Sequence, residues 1–175
     1  MRGWCVAAAC LVLSSCVPWT VRPLEDADDR ARSFDAAAYV DSIWQSKVLP
    51  AAEAAHDWNA AHCASPCLVK GQGRVVRVDT SSRAGMAFLD SGIAVQIGPV
   101  IRGTALRDAL PFIRFSQFTN QLEFARVGNA LNDRATQILD TPHVTDDIAF
   151  TGALEPGSPV TVVPVTLTLV RRGAL

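Results

Sequence analysis

The chain has 175 residues, of which 49% are hydrophobic and 19% are charged, and its formal net charge is −1. This composition excludes an intrinsically disordered chain, because enough apolar side chain is present to bury a core. The near-neutral charge also argues against bulk attraction to nucleic acid or anionic lipid. We therefore expect no nucleic-acid partner, and any membrane attachment must have another origin.

The first residues have the pattern of a lipoprotein signal peptide. Arg2 supplies a short basic region, and residues 4–13 form an apolar run that is too short to span a bilayer as a helix. The run ends in Leu13-Ser-Ser-Cys16, which matches the bacterial lipobox. We predict that residues 1–15 are removed and that lipid on Cys16 anchors the protein stably to the membrane. The alternative is an ordinary signal peptide with a chance cysteine.

The segment after the lipobox indicates the cellular location of the protein. Residues 16–32 contain two prolines and an acidic run, which indicates a solvated tether between lipid and domain. The expected location is the bacterial cell envelope, facing the periplasm. Val17 rather than Asp follows the cysteine, and in a Gram-negative cell this slightly favours the outer membrane.

Residues 33–175 are predicted to form a single globular domain that begins with a helical segment, residues 33–70. Ser33 can cap a first helix, because its hydroxyl can accept a hydrogen bond from the first turn. Pro50 interrupts the helical pattern and suits the first turn of a second, alanine-rich helix that ends near His62.

Cys63 and Cys67 follow, with His56 and His62 close to them in the chain. In an oxidising envelope compartment the two cysteines can form a structural disulfide. They can also serve as a free or redox-active pair, or as metal ligands together with the histidines. The usual tight zinc sites have two such pairs and this chain has one, so we expect no metal.

Residues 71–175 are predicted to form a β domain. Five strands are expected, at Arg74–Val78, Met86–Leu89, Ile93–Ile97, Ile148–Ala153 and Val160–Val170. Pro164 must lie at an edge or a bulge of the last strand. One helix runs from Asn120 to near Leu139, between the third and fourth strands, and Asn120 with Glu123 resembles a capping box. This order predicts an α+β protein with a small five-stranded OB-like β-barrel, preceded by the helical segment.

The stretch 97–123 joins the third predicted strand to this helix and mixes glycine, charged, amide and aromatic residues. Six of its polar residues are candidates for binding a ligand or a partner: Arg102, Thr104, Arg107, Asp108, Asn120 and Gln121. Each arginine can hold a carboxylate or phosphate through paired hydrogen bonds. In the alternative interpretation, Asp108 pairs with one arginine and the ion pair only braces the loop.

Motifs typical of enzymes are missing from the sequence. It contains no nucleophile elbow, no phosphate-binding P-loop, no HExxH and no paired CxxC. We therefore predict a protein without catalytic residues and without a cofactor.

Four segments together resemble a known bacterial family. They are the lipobox around Cys16 and residues 73–85, 96–108 and 115–121. The resemblance is to predicted periplasmic lipoproteins of unknown function. Members are often encoded beside sugar ABC-transporter genes, so the resemblance implies an accessory role in solute uptake, with transporter components or a small solute as partners.

Three hypotheses follow from these observations. The first is a lipid-anchored accessory or binding protein that uses residues 98–121. The second is an envelope redox or metal-dependent enzyme that uses Cys63 and Cys67. The third is a purely structural assembly factor.

Overall fold

The computed structural model describes residues 34–60, 63, 65–137 and 141–171. The predicted signal peptide, the lipid on Cys16, the tether, the Ser33 cap and His62 lie outside these ranges. Within them the fold is α+β and combines a six-stranded sheet with helices. None of the helices in these ranges is long and apolar enough to cross a membrane.

The elements follow one another from the helical segment to the last strand. They are helix α1 (Ala36–Ile43), a π-helical segment (Trp44–Val48), α2 (Leu49–Glu53), strand β1 (His56–Asp57), a 3-10 turn (Trp58–Ala60), β2 (Cys67–Asp79), β3 (Met86–Leu89), β4 (Ala94–Gln96), α3 (Ala105–Ala109), a 3-10 turn (Phe115–Gln117), α4 (Gln121–Thr136), β5 (Asp147–Glu155) and β6 (Thr161–Arg171).

The N-terminal helices differ from the prediction. The cap of α1 is Asp35, whose carboxylate accepts a 2.9 Å hydrogen bond from the Ala38 N–H. Pro50 lies in the first turn of α2, as predicted, directly after the π-helical segment. The predicted extension to His62 is wrong, since α2 ends at Glu53 and β1 follows.

The strands pair in the order β1-β2-β3-β4-β6-β5, and β2 also pairs with β5. The β1–β2 and β4–β6 pairs are parallel, and the others are antiparallel. The pairing therefore returns from β5 to β2, and each of the five longer strands has a neighbour on both sides. The sequence predicts these five strands but not β1, so the predicted strand number is wrong by one.

Strand β2 starts seven residues earlier than predicted, at Cys67 instead of Arg74. Residues 67–74 pair with β5, and the rest of the strand pairs with β3. Gly71 lies inside the strand, where an added Cβ would come within 2.6 Å of Trp58 Cδ1 and 2.7 Å of Phe150 Cζ. This glycine makes room for two aromatic rings and does not form a turn.

The prediction of a bulge at Pro164 is confirmed. Along β5 and β6, Thr151 lies opposite Thr166 while the next residue, Gly152, lies opposite Pro164. The register shift removes the need for a proline N–H in the ladder.

Two apolar cores lie on the two sides of the sheet. One includes Val95, Ile148 and Leu167, all at most 1% exposed. The other lies between the helices and the outer face of β5 and β6, where Leu106 and Val163 are buried. The helices thus cover one part of the sheet and leave the loops at its ends open.

Candidate functional site

The segment between β4 and α4 is ordered by contacts with buried amides. The Asn132 Nδ2 group donates a 2.9 Å hydrogen bond to the Gly103 carbonyl, and Gln96 Oε1 accepts a 3.3 Å bond from the Arg102 N–H. Asn132 and Gln96 are both buried. The segment is therefore fixed to the strand and helix on either side of it.

Three of the six candidate residues bind one another. Asp108 accepts hydrogen bonds from Thr104 Oγ1 at 2.7 Å and from Arg107 Nε at 2.8 Å, and Arg107 Nη2 lies 2.7 Å from the same carboxylate. The Arg107 guanidinium also lies 3.9 Å from the centre of the Phe124 ring, and its side chain is only 12% exposed. We call residues 102–108 the arginine loop; its last four residues lie in helix α3. Its main ion pair braces the fold.

Two further candidates lie at the start of α4. Asn120 Oδ1 caps the helix by accepting a 2.9 Å hydrogen bond from the Glu123 N–H. The Glu123 carboxylate accepts from the Thr119 N–H at 2.9 Å, one residue before the position of a standard capping box. Gln121 is the exposed first residue of the helix. These residues serve or adjoin the helix cap.

Among the described residues, Arg102 is the candidate whose charged group has no internal partner. Within the described ranges no hydrogen bond or ion pair involves its guanidinium. It lines a cleft of about 510 Å³ together with Asn129 and Asp133 of α4. The other five candidates do not line this cleft, so the six residues do not converge on one site.

Cys63 and Cys67 form a disulfide, with their Cα atoms 6.1 Å apart. His56 lies on β1 with an exposed side chain. Among the described residues no group of three or more His, Cys, Asp or Glu side chains is arranged to hold a metal ion. The disulfide closes a short loop that ends at Cys67, the first residue of β2.

A second cleft lies where the β2–β3 loop meets the chain that follows β4. We call it the loop cleft; its volume is about 540 Å³. Its lining residues are Val78, Thr80, Ser81, Ser82, Arg83, Gly85, Ile97, Gly98, Pro99, Thr136 and Thr141. Residues 79–85, which contribute most of one wall, belong to the segment 73–85 that carries the family resemblance.

Backbone contacts hold the two walls of the loop cleft together. The Gly98 N–H donates to the Ala84 carbonyl at 2.8 Å, and the Ile97 N–H donates to the Gly85 carbonyl at 3.2 Å. A Cβ at Gly98 would collide with the carbonyl groups of Arg83 and Ala84. The cleft is therefore preformed, and it depends on a glycine at this position.

Asp79 fixes the beginning of the β2–β3 loop. Its carboxylate accepts hydrogen bonds from Ser81 Oγ at 2.6 Å and from the Ser81 N–H at 3.0 Å. These bonds, with a smaller contribution from nearby Arg77, lower the pKa of Asp79 below its ordinary value of 3.8. The carboxylate is thus charged at neutral pH and holds the loop through Ser81.

Several polar groups of the loop cleft have no partner in the described part of the chain. Ser81 bonds to Asp79, and Thr136 Oγ1 donates to the Asp133 carbonyl. In the part of the chain that the structure describes, no hydrogen bond is found for the hydroxyls of Thr80, Ser82 and Thr141 or for the exposed Arg83 guanidinium. These four groups are available to a ligand.

A larger groove of about 600 Å³ runs over the outer face of β2, β5 and β6 beside Trp58. Among the described residues, three of its polar side chains are bonded and five are not; the unbonded ones are Asp57, Trp58, Asn59, Gln72 and Thr168. The hydroxyls of Thr151 and Thr166 lie 2.8 Å apart, and Lys70 Nζ donates to the Glu53 carbonyl at 3.4 Å. The loop cleft is the stronger candidate, because it combines an arginine guanidinium that has no described partner with walls that backbone hydrogen bonds hold in place.

Two comparisons place the chain among known proteins. A family model described as predicted periplasmic lipoprotein (DUF2291) matches residues 6–65 and 59–168. A solved structure of an OB-fold protein from Thermotoga maritima is similar with a TM-score of 0.59 and 12% identity, over 78% of this chain and 98% of that one. At this identity the likeness concerns the fold alone. The comparison with curated proteins finds no match.

Proposed function

The chain belongs to the predicted periplasmic lipoprotein family, and we propose that it is a lipid-anchored, non-enzymatic binding protein that takes a small hydroxylated solute into the loop cleft. The observation that carries this proposal is the set of unbonded hydroxyls beside the Arg83 guanidinium. Hydroxyl groups both donate and accept hydrogen bonds, as the hydroxyls of a sugar do. The guanidinium is suited to a carboxylate or phosphate on the same solute.

The position of the loop cleft in the fold supports this proposal. We interpret the cycle of pairing through β2, β3, β4, β6 and β5 as an OB-like barrel with a helical insertion between β4 and β5. In OB-folds the loop between the first two barrel strands is one of the loops that bind ligands. Residues 80–85 are the corresponding loop here, between β2 and β3.

The size and rigidity of the cleft also favour a small ligand. Its volume of about 540 Å³ is within the range of roughly 300–1,000 Å³ that is common for small-molecule sites. Because the walls are joined through Gly98, little ordering of the protein accompanies binding.

The cellular role that we propose is accessory to solute uptake. Lipid on Cys16 would hold the domain in the periplasm, and Val17 after it favours the outer membrane. The family resemblance implies sugar ABC-transporter components as partners. A bound solute would then be retained in the periplasm, where an importer can take it up.

The proposal is tested by titrating the mature protein with neutral sugars, sugar acids and sugar phosphates in a calorimeter. A hydrogen bond to a charged group contributes about 1.5–3 kcal/mol, so we expect Arg83→Gln to weaken binding at least about tenfold. Ser82→Ala should weaken it less. Arg102→Gln is the matched control, because Arg102 is another exposed arginine without a described partner and lies in a different cleft.

Two results would contradict the proposal. One is the absence of binding across all three classes of solute. The other is equal weakening by Arg83→Gln and Arg102→Gln, which would mean that the effect comes from overall charge and not from the loop cleft.

A further inference from the structure

The outer face of the sheet carries the groove of about 600 Å³ beside Trp58, which we call the outer groove. Its floor follows the register of the strands. One row across β1, β2, β5 and β6 consists of Asp57, Lys70, Thr151 and Thr166. Side chains that lie opposite each other on neighbouring strands share a face of the sheet. The outer groove therefore contains a continuous row of polar side chains that crosses four strands.

The next row of the outer groove is indented at its centre. Ala149 lies between Gln72 and Thr168 in the register, and its small side chain leaves space between these longer neighbours. Phe150, the next residue of β5, belongs to the core on the other side of the sheet, so Ala149 points outward. Three strand spacings of about 4.8 Å make the polar row roughly 14 Å long. The outer groove is thus longer than a single sugar ring.

Five polar side chains of the outer groove are open to a ligand. Within the described ranges no hydrogen bond is found for the Asp57 carboxylate, the Asn59 and Gln72 amides, the Thr168 hydroxyl and the Trp58 indole N–H. The amides and the hydroxyl both donate and accept, whereas the carboxylate accepts and the indole donates. A ligand with many hydroxyl groups can bind all five, because each hydroxyl is both a donor and an acceptor.

The charges of the outer groove favour an uncharged ligand. Among its described lining residues the carboxylate of Asp57 is balanced by the ammonium of Lys70. Lys70 Nζ also donates to the Glu53 carbonyl at the end of α2, at 3.4 Å, so part of its bonding capacity is used within the fold. The loop cleft differs, because Arg83 is the one charged side chain among its described lining residues. The two clefts are therefore suited to different ligands.

The strand pairing in the floor argues against a peptide as the ligand. Lys70 and Thr151 each have a partner strand on both sides. Their backbone groups are engaged in the sheet, so an extended peptide cannot add there as a strand. Recognition falls to the side chains. Half-buried Trp58, which packs on the core, adds apolar ring surface at the side of the groove for the C–H groups of a sugar.

We propose that the outer groove binds an uncharged oligosaccharide. The amides of Asn59 and Gln72 and the carboxylate of Asp57 bond its hydroxyl groups, and the indentation over Ala149 receives one of its rings. The outer groove is separate from the loop cleft, since the two share no lining residue. This inference goes beyond the proposed function, which concerns a small solute in the loop cleft, and it does not depend on it.

The test is an NMR titration of the lipidated mature protein in phosphocholine micelles, which carry no sugar. The probes are maltotetraose, cellotetraose and tetra-N-acetylchitotetraose. We expect at least one probe to shift the Trp58 indole N–H signal together with the side-chain NH₂ signals of Asn59 and Gln72. The side-chain NH₂ of Asn132 is the reference and should not shift, because Asn132 is buried and bonded to the Gly103 carbonyl.

One variant tests the shape of the outer groove without removing a polar group. Ala149→Leu fills the indentation and should eliminate the shifts at the highest probe concentration. Ala125→Leu is the matched control, because Ala125 is exposed on α4 and lines none of the clefts described above; the shifts should persist in it. Gln72→Ala removes one neutral hydrogen-bonding group and should weaken binding about two- to tenfold. Circular dichroism verifies that each variant is folded.

Three results would overturn the inference. They are the absence of shifts with all three probes, shifts that survive Ala149→Leu in a folded protein, and shifts confined to the backbone N–H signals of Ser82 and Arg83. The last would place the oligosaccharide in the loop cleft and would support the proposed function instead. The calorimetric titration with sugar acids and sugar phosphates tests the loop cleft separately, so failure of one proposal is distinguishable from failure of the other.

Discussion

The arginine loop and the wall of the loop cleft contain similar residue types, but these side chains are bonded to one another in the first and have no described partners in the second. In the arginine loop, Arg107 and Thr104 both bind Asp108, and the charge is neutralised inside the fold. In the loop cleft, Arg83 and Ser82 have no described partner. The comparison teaches that arginine and hydroxyl groups indicate a binding site only when the fold leaves them without internal partners.

The two regions should therefore respond differently to substitution. Changes in the arginine loop should lower the free energy of unfolding, because they leave a polar partner unbonded. Changes in the exposed side chains of the loop cleft should weaken solute binding and leave stability within about 0.5 kcal/mol of the parent protein.

The largest effect is expected from Gly98→Ala, which would force the two walls of the loop cleft apart. The added methyl group collides with backbone carbonyls, so we expect a loss of about 1–3 kcal/mol or more in the free energy of unfolding, together with loss of solute binding. Urea denaturation measures the first and calorimetry the second.

Gly128→Ala in α4 is the control for this change. An added Cβ there would meet Arg107 Cδ at 3.7 Å, which is ordinary contact. Replacing a helical glycine should stabilise the protein by roughly 0.5–1 kcal/mol. If both alanine variants shift stability in the same direction, the close approach at Gly98 is not what shapes the cleft.

A smaller effect is expected from Asp108→Asn in the arginine loop. Arg107 would lose its ionic partner while only 12% exposed, but Asp108 is 35% exposed and solvent screens the pair. We expect a loss of about 1–2 kcal/mol in urea denaturation. Solute binding should be unchanged; a binding defect equal to that of Arg83→Gln would show that the two regions form one site.

The smallest effect is expected from Ser81→Ala, which should change the pKa of Asp79. Because the pKa of Asp79 is lowered in the folded protein, the stabilisation that its charged carboxylate gives the β2–β3 loop is fully present above pH 3.8, the ordinary pKa. This stabilisation is lost as the pH falls through the lower pKa of the folded state. Ser81→Ala removes the largest cause and should raise the pKa of Asp79, as measured by carbon-13 NMR of the carboxyl group. Ser82→Ala should leave the pKa of Asp79 unchanged. An equal rise of this pKa in both variants would contradict the assignment to Ser81.

Local signals predicted much of the fold. Asn120 caps α4 as expected, because the cap and the apolar stripe are encoded within one helix. The pairing of His56 with Val69 in β1 and β2 has no local signal, since it depends on contact between distant segments. Gly71 resembles a turn residue in sequence, and only the nearby Trp58 ring explains its place inside a strand.

The candidate site was less predictable for a related reason. Sequence identifies which side chains can bind an anion, and it singles out residues 97–123 as a stretch that mixes glycine, charged, amide and aromatic residues. It does not tell which of those groups already bond to one another. The packing of Arg107 on Phe124 and the close contact of Gly98 with Ala84 are tertiary facts that decide this question.

The cyclic pairing of the strands has a consequence for the way in which copies of the protein meet. Unpaired strand edges invite neighbouring copies to add to the sheet. Among the described strands, only β1 ends the pairing order, and it contributes two exposed polar residues, His56 and Asp57. Copies of the described domain thus have little tendency to join edge to edge, even at high concentration.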